Sequence, residues 1–272
     1  MKPESDFAGR QIRGTRENQE DFYGFCELTG NIDGIDGLLL VLADGMGAYA
    51  GGSVASRTVV EAFIEGFCYA RGPVGSRLLG SLRAAERGLT EEIVRKGEKF
   101  AEMGATLVAV IYQPGSLRWI SVGDSSLYLF RRGKLKRLNA DHSMAPLLDA
   151  QAAHGEMTVE EAAKHPKRGN LRTAIADQKV TLYDLREEPF ILENGDLLFA
   201  ASDGLNTVKE PELQGLLKKC AGQPGDKIAE TLLRAVEEVQ KPKQDNATVA
   251  IIRNFSAPRS VSSVTTRPVR SR

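Results

Sequence analysis

Seven consecutive small or apolar residues early in the chain are followed directly by an acidic residue. Residues 37–43 read GLLLVLA, and Asp44 comes next. A strand with one face in water alternates apolar and polar residues, whereas a strand covered on both faces is apolar throughout. The run therefore predicts a central strand in a layered fold, with other structure packed above and below its sheet.

Further strands and helices are predicted along the rest of the chain. The strands lie at residues 106–112, 117–122, 126–130, 134–138, 180–185, 190–192, 196–201 and 248–253. Pro114 and Gly115 separate the first two of these runs, which is the chemistry of a hairpin turn. Apolar stripes at helical spacing predict helices at residues 53–68, 76–99, 211–219 and 226–239. Runs of strands interrupted by helix pairs favour layered antiparallel sheets with helices outside.

Composition excludes several classes of protein. The 272 residues carry 36 basic and 36 acidic side chains, so no excess of positive charge is available to hold nucleic acid. No stretch approaches the roughly 18 apolar residues of a membrane span, and the first ten residues do not resemble a signal peptide. The three cysteines, Cys26, Cys68 and Cys220, form no CxxC pair and fit reduced thiols. We therefore expect a cytoplasmic protein with no transmembrane segment and no nucleic acid partner.

The chain is predicted to form one domain and a tail. Composition is uniform up to residue 253, and no internal repeat is present. Residues 254–272 lack acids and are rich in serine, proline and arginine, which is typical of a disordered basic segment. We therefore assign the domain to residues 1–253 and the tail to residues 254–272. The tail has the charge to contact an anionic membrane or a partner, although an inert extension is the more common case.

Four aspartates each stand at the end of an apolar strand. They are Asp44, Asp124, Asp203 and Asp245. Any one of them alone is more often a turn residue. A carboxylate at the mouth of a buried strand is costly to desolvate unless a cation or a hydrogen-bond donor meets it. Four such positions, joined by the pair Glu20 and Asp21, therefore favour a shared acidic site.

The types of residue in this set indicate which chemistry the site could perform. Oxygen ligands without histidine or cysteine nearby select magnesium, manganese or calcium rather than zinc. Two such ions about 3.5–4 Å apart can lower the pKa of a water molecule for in-line attack on a phosphoryl group. Arg16 precedes Glu20 by four residues, and a guanidinium there would grip phosphate oxygens, although most arginines are simply surface residues.

Six motifs, in the correct order, resemble the metal-dependent type 2C serine/threonine protein phosphatases, and in particular their compact bacterial members. They are RENQED at residues 16–21, ADGMGAYAGGSVAS at 43–56, GATLVAV at 104–110, the segment 121–143, NGDLLFAASDGL at 194–205 and QDNATVAII at 244–252. Each motif is weak alone, but together they span residues 9 to 253. The resemblance implies an α+β fold, a four-layer αββα sandwich of two antiparallel sheets flanked by helices. It also implies a flap at residues 144–170 that governs substrate access.

The same resemblance implies a role for each residue of the acidic set. The residues that would hold metal ions share a carboxylate or carbonyl oxygen near a strand end: Glu20, Asp21, Asp44, Gly45, Asp124, Asp203 and Asp245. Asp44 would bridge two ions, Mn²⁺ or Mg²⁺, and Asp203 and Asp245 would hold the first of them. Asp124 would help to hold a possible third ion. Arg16 would bind the phosphate group.

A few positions depart from the family pattern, and one segment resembles a particular subgroup of the family. Some relatives have a histidine, proposed as the general acid, where this chain has Met46, so the proton for the leaving group must come from elsewhere. Ala48 replaces the second of two glycines, which predicts a slightly different loop. His142 is interpreted as structural rather than catalytic. Residues 169–177 resemble phosphatases associated with type VI secretion clusters.

Three hypotheses for the function follow. The first is a phosphatase that hydrolyses phosphoserine and phosphothreonine on proteins by direct attack of a metal-activated water, opposing a bacterial serine/threonine kinase. The second is a catalytically inactive binding module of the same fold, which the complete acidic set disfavours. The third is a two-metal nuclease, which the zero net charge disfavours.

Overall fold

A computed structural model of the chain describes residues 1–28, 35–48 and 50–254. Within these ranges it contains β1 (Phe7–Ile12), β2 (Asp21–Leu28), β3 (Gly37–Met46), α1 (Gly51–Tyr69), α2 (Val74–Lys96), β4 (Gly104–Ala105), β5 (Leu107–Gln113), β6 (Ser116–Val122), β7 (Ser126–Arg131), β8 (Lys134–Arg137), α3 (Ala145–Ala153), α4 (Val159–Lys164), β9 (Asp184–Ile191), β10 (Asp196–Ala201), α5 (Glu210–Cys220), α6 (Gly225–Glu238) and β11 (Ala247–Asn254). In that part of the chain, no helix has an apolar stretch sufficient to cross a lipid bilayer.

The strands form two antiparallel sheets that pack face to face. The first sheet has the order β1-β11-β10-β7-β8, and the second has the order β2-β3-β5-β6-β9, with β4 beside β3. Helices α1 and α2 cover the outer face of the second sheet, and α5 and α6 cover the outer face of the first. A third apolar cluster fills the space between the sheets. The expected four-layer αββα sandwich is confirmed.

Strand β3 explains why the chain needs four layers. Its side chains alternate between two cores, because successive residues of a strand point to opposite faces. Leu39, Val41 and Ala43 pack toward α1 and α2. Leu38, Leu40 and Leu42 pack between the two sheets. The apolar run is continuous because both faces of β3 are fully buried, one in each core.

The strand predictions were least accurate at the edges of the sheets. No strand was predicted for β1 or β2, which are edge strands with half-exposed and polar residues and no continuous apolar run. The predictions at residues 180–185 and 190–192 were wrong in their bounds, because one edge strand, β9, runs over Asp184–Ile191. Its pairing with β6 contains a register shift, which accommodates the polar stretch between the two predicted runs.

The last described residue of the chain, Asn254, is also the last residue of β11. It is 4% exposed, and its Oδ1 accepts a hydrogen bond of 2.8 Å from the Tyr112 hydroxyl of β5. The Asn254 side chain therefore links a strand of the first sheet to a strand of the second. The remaining residues of the predicted tail, 255–272, lie outside the described residues.

Two of the three cysteines are close to each other in the fold. Cys26 on β2 and Cys68 on α1 place their sulfur atoms 3.5 Å apart, and both carry free thiols. Burial, followed by the hydrogen bond with Cys68, raises the pKa of the Cys26 thiol to about 11. This thiol is therefore protonated at neutral pH, which makes it a poor nucleophile.

Candidate functional site

A cavity of about 950 Å³ opens at one edge of the sandwich. All four strand-end aspartates line it, together with two more of the predicted ligands and the predicted phosphate-binding residue: Asp44, Asp124, Asp203, Asp245, Glu20, Gly45 and Arg16. Both sheets contribute, since two of these aspartates follow or end strands of the second sheet and two flank strands of the first. The residues that the sequence marked separately therefore meet at one place.

Antiparallel pairing explains this convergence. Strands β3 and β6 run in the same direction on either side of β5, so their final residues reach the same edge of the second sheet. In the first sheet, the end of β10 pairs with the start of β11. Asp203 lies two residues after β10, and Asp245 lies two residues before β11. Strand register thus positions these carboxylates next to each other.

Asp21 is the one predicted ligand that does not line the cavity. It pairs in register with Asp44 and is 3% exposed. Its Oδ2 accepts hydrogen bonds of 2.7 Å from the hydroxyls of Ser202 and Thr248. Its Oδ1 is buried and has no hydrogen-bond partner among the described residues. Asp21 therefore lies behind the cavity floor with one carboxylate oxygen still available.

Glu20 lies against the start of α1, and glycine is required for this approach. A Cβ on Gly52 would stand 2.7 Å from the Glu20 carboxylate. The first turn of α1 contains no acidic side chain of its own. The negative charge of Glu20 is consequently favourable at this end of the helix, where backbone N–H groups lack helical partners.

The loops that carry the acidic residues are tied together by two amide side chains. Asn246 Oδ1 accepts the Glu20 N–H at 2.8 Å, and its Nδ2 donates to the carbonyls of Arg13 and Asn18. Gln244 Nε2 donates to the Gly204 carbonyl at 3.2 Å. The sequence alone does not reveal the role of either amide, although both residues flank Asp245 in the motif QDN.

Thr106 and Ser125 connect the backbones beside Asp44 and Asp124. The hydroxyl of Thr106 accepts the Asp44 N–H at 3.0 Å and lies 2.7 Å from the hydroxyl of Ser125. The Thr106 N–H donates to the Asp44 carbonyl at 2.9 Å. Both hydroxyl residues are buried. The pair therefore fixes the spacing of two acidic loops without lying among the predicted ligands.

Replacing Thr106 by valine should destabilise the protein by about 2 kcal/mol, because the buried Asp44 N–H and Ser125 hydroxyl lose their partner. Any activity of the cavity should fall roughly tenfold, as for other residues that orient ligands from behind. Urea unfolding and phosphate release measure the two effects. The matched control is Thr231→Val on the exposed surface of α6, which should change stability by less than about 0.5 kcal/mol. Equal effects of the two substitutions would contradict the role of Thr106.

The carboxylates raise one another's pKa values. Burial, then the charges of Asp21 and Asp203, raises the pKa of Asp44 well above its usual value. Burial, then the charge of Asp245, raises the pKa of Asp203, whose carboxyl group also hydrogen bonds to that of Asp44. The pKa values of Asp21 and Asp124 are raised to about 6, mainly by burial. So many carboxylates in one buried place favour a bound cation.

Arg16 forms an ion pair with one of these carboxylates. One guanidinium nitrogen lies 2.5 Å from Asp245 Oδ2, and about half of the side chain is exposed. This hydrogen bond, followed by the charge of Asp245, raises the pKa of Arg16. The guanidinium therefore lies at the boundary between the acidic floor and solvent, where an incoming anion would meet it first.

The chemistry of these donors fits hard divalent cations. The lining offers carboxylate and carbonyl oxygens and, among the described residues, no histidine or cysteine. The unpartnered Oδ1 of Asp21 and the raised pKa of Asp44 are what a cation would relieve. In the described part of the chain, no three His, Cys, Asp or Glu side chains are already arranged to hold an ion. Binding would therefore require these carboxylates to close in or water to complete the coordination.

Part of the cavity wall is formed by residues between 169 and 182. The segment predicted as a flap, residues 144–170, contains α3 and α4. Of this fully described segment, only Gly169 and Asn170 line the cavity. Most of the lining from this part of the chain therefore comes from residues after 170.

The remaining residues singled out in the sequence have ordinary structural surroundings. His142 is 4% exposed, and its Nδ1 accepts the Gly123 N–H at 3.2 Å, which holds the backbone beside Asp124. Met46 lines the cavity. Gly47 has φ of 150°, whereas Ala48 does not have a positive φ, so alanine is accommodated there without strain.

Comparison with known sequences gives a consistent picture. The family profile described as protein phosphatase 2C matches residues 8–244. The serine/threonine protein phosphatase PstP of Mycobacterium tuberculosis (strain H37Rv) is 31% identical over 252 residues, or 90% of this chain. That alignment covers 44% of PstP, so the chain spans less than half the length of this relative. The phosphatase Stp of Listeria monocytogenes serovar 1/2a is 31% identical over 185 residues, 66% of this chain and 71% of Stp.

Solved structures agree with these sequence matches. The crystal structure of M. tuberculosis PstP/Ppp superposes with a TM-score of 0.74 and 27% identity, covering 92% of this chain and 98% of that chain. A structure of the PstP catalytic domain in complex with two manganese ions gives a TM-score of 0.70 and 26% identity, over 91% of this chain and 97% of that one. A Streptococcus agalactiae serine/threonine phosphatase gives 0.75 and 25%, over 90% and 98%.

Proposed function

Because the chain belongs to the protein phosphatase 2C family, we propose that it is a metal-dependent phosphatase that hydrolyses phosphoserine and phosphothreonine on proteins. One observation carries this proposal. Glu20, Asp44, Asp124, Asp203 and Asp245 line a single open cavity together with Arg16. An acidic floor with a guanidinium at its rim is suited to divalent ions and a phosphate group together.

The proposed ligands divide by their position in the cavity. Asp44 would hold ions together with its neighbours, since burial and the charges of Asp21, Asp203, Asp124 and Asp245 all raise its pKa. Asp203 and Asp245 would hold one ion, and Glu20 and the Gly45 carbonyl would hold another. Asp124, with Asp203, would be available to a third. Asp21 supports this set from behind through its contacts with Ser202 and Thr248.

Bound Mn²⁺ or Mg²⁺ would supply an activated water and neutralise charge on the phosphoryl group. The side chains have other tasks. Arg16 binds and orients the phosphate oxygens at the cavity entrance, where its guanidinium is half exposed. Among the described residues, the lining contains neither histidine nor cysteine, and its hydroxyl residues are Thr106, Thr173 and Thr181. The Thr106 hydroxyl is occupied by hydrogen bonds, and the lining offers no histidine to activate the other two as nucleophiles. Direct hydrolysis by water, without a phosphorylated protein intermediate, is therefore the favoured mechanism.

Several finer proposals rest on the sequence alone. We propose action in the cytoplasm, against phosphoproteins made by a serine/threonine kinase, as part of bacterial signalling. We also propose an association with type VI secretion, because residues 169–177 resemble the corresponding segment of phosphatases from type VI secretion clusters. The domain boundary near residue 254 and a role for the basic tail belong to the same group of proposals.

The direct test is release of phosphate from a phosphothreonine peptide. We expect turnover with Mn²⁺ and loss of turnover with excess EDTA, because the carboxylates alone cannot activate water. Plasmid nicking under the same conditions is the control for a two-metal nuclease and should be absent. No phosphate release with either Mn²⁺ or Mg²⁺ would overturn the proposal and favour the inactive binding module.

A further inference from the structure

Residues 169–182, called the rim below, line the same cavity as the acidic residues and are held at three places. At its start, the Met144 N–H donates to the Asn170 carbonyl, and the Arg172 N–H donates to the His142 carbonyl. In its middle, buried Ile175 exchanges two backbone hydrogen bonds of 2.9 Å with Ala105. These bonds fix the path of the backbone across the cavity.

The third anchor lies at Val180, which is 2% exposed. Its N–H donates to Glu86 Oε1 of α2, and its carbonyl accepts a hydrogen bond of 3.1 Å from Arg83. Arg83 and Glu86 also form an ion pair at 2.7 Å. Lys179, directly before Val180, therefore has a backbone position set by packing and not by its own side chain.

Two basic side chains project from this anchored segment. Arg172 and Lys179 both line the cavity, and both are exposed. Within the described ranges, neither side chain forms an ion pair, whereas Arg16, the third cation of the lining, pairs with Asp245. Asp177, also exposed, is the only acid that the rim places on the lining in the described part of the chain. The rim therefore carries one net positive charge.

The whole cavity would also be positively charged once two divalent ions are bound. Its lining holds six acidic and three basic side chains, which gives three net negative charges. Two divalent ions would add four positive charges and leave one net positive charge. A phosphorylated segment bound at Arg16 would occupy the cavity whose lining also contains Arg172 and Lys179. Both of these side chains are exposed, and among the described residues neither forms an ion pair, so both are available to acidic side chains of the segment.

We propose that Arg172 and Lys179 are specificity-determining residues that select phosphorylated segments with acidic side chains close to the phosphorylated residue. This inference rests on the proposed function, and it adds the class of substrate sequence. The guanidinium and the ammonium attract carboxylates by charge and by hydrogen bonds. Because the backbone is already fixed by the three anchors, little ordering of the rim is needed when a substrate binds.

The test compares two phosphothreonine peptides of equal length, one with alanines and one with aspartates around the phosphothreonine. The measured quantity is the ratio of kcat/KM for the aspartate peptide to kcat/KM for the alanine peptide, with the full chain and Mn²⁺. A general loss of activity cancels in this ratio. We expect a ratio of about five for the unsubstituted protein, from two exposed charge pairs.

Two variants and a matched control complete the design. In the double variant Arg172→Ala/Lys179→Ala the ratio should fall to about one, and in Arg172→Glu/Lys179→Glu it should fall below one. The control Arg71→Ala removes another exposed arginine just beyond the far end of α1, about 28 Å along the helix from its start, and should keep the original ratio. For the unsubstituted protein, about 0.5 M salt should bring the ratio toward one.

The outcomes separate this inference from the proposed function. A ratio near one for the unsubstituted protein, or a ratio unchanged in both rim variants, would overturn the inference while phosphatase activity stands. If the unsubstituted protein released phosphate from neither peptide, the proposed function would be overturned, and the inference with it. A ratio that falls only in the rim variants supports the inference.

Discussion

Replacing Asp44 by asparagine is expected to lower Mn²⁺-dependent phosphate release by about a thousandfold. Asp44 lies at the centre of the acidic group, since its pKa is raised by four other aspartates as well as by burial. Asparagine keeps the shape of the side chain but removes the charge that a bridging ligand needs. The size of the effect is typical for losing one group that stabilises developing charge. Steady-state kinetics on a phosphothreonine peptide measures it.

Although Asp44→Asn should lower activity, it should make the metal-free protein more stable. In EDTA, Asp44→Asn relieves repulsion with Asp21 and Asp203, so Tm should rise relative to the unsubstituted protein. With Mn²⁺, the variant should gain less stability than the unsubstituted protein, because ion binding to the folded state is weaker. Asp226→Asn, at the start of α6 and outside the cavity, is the control for activity and for the rise in Tm that Mn²⁺ causes. Because Asp226 also pairs with Arg10, Tm of this variant is compared only between EDTA and Mn²⁺. Full activity in Asp44→Asn would exclude the proposed role of Asp44.

The free energy of unfolding in EDTA is expected to fall as the pH rises from about 4 to about 6. Asp21 and Asp124 both have pKa values raised from 3.8 to about 6 in the folded protein. Below pH 3.8 both carboxyl groups are protonated in the folded and the unfolded state, so they do not lower the free energy of unfolding. Between pH 3.8 and about 6 the unfolded chain releases these protons whereas the folded protein keeps them, so each pH step favours the unfolded state. The loss from Asp21 alone is about 3 kcal/mol.

Mn²⁺ should reverse the sign of this pH dependence. Ions compete with protons for the same oxygens, so metal binding to the folded state strengthens as the carboxylates ionise. Urea unfolding at pH 4.5, 5.5 and 6.5, with EDTA and with saturating Mn²⁺, measures both slopes. Parallel pH profiles in the two conditions would show that the acidic group does not bind the ions.

Much of the fold was predictable because its central elements have strong local patterns. The apolar run of β3 predicted a strand with two covered faces, and Val59, Val60 and Phe63 of α1 predicted a helix that covers a sheet. The predictions failed at β1, β2 and β9. Edge strands need few apolar residues, since pairing on one side and packing on one face suffice. Their identity depends on a partner strand that local sequence does not reveal.

The candidate site was predicted in part for a similar reason. The acidic positions stood out because charge at the end of an apolar strand is unusual, and the ordered motifs indicated the family. Thr106, Ser202 and Thr248 were not identified, since hydroxyl residues are common and their value comes from contacts with Asp44 and Asp21. The rim was not identified as part of the site, because its anchors on Ala105 and Glu86 are distant in sequence.

The sequence by itself determined which residues carry the oxygen atoms and the guanidinium that we propose bind ions and phosphate, and which strands and helices form the core. Those properties reside in side-chain chemistry and in local periodicity. The tertiary structure decided which of these residues meet. Strand register brings Asp44, Asp203 and Asp245 to one cavity and places Asp21 behind it, and the anchored rim adds Arg172 and Lys179 to the lining. Such distances depend on long-range pairing between strands, because no local pattern encodes the separation of residues two hundred positions apart.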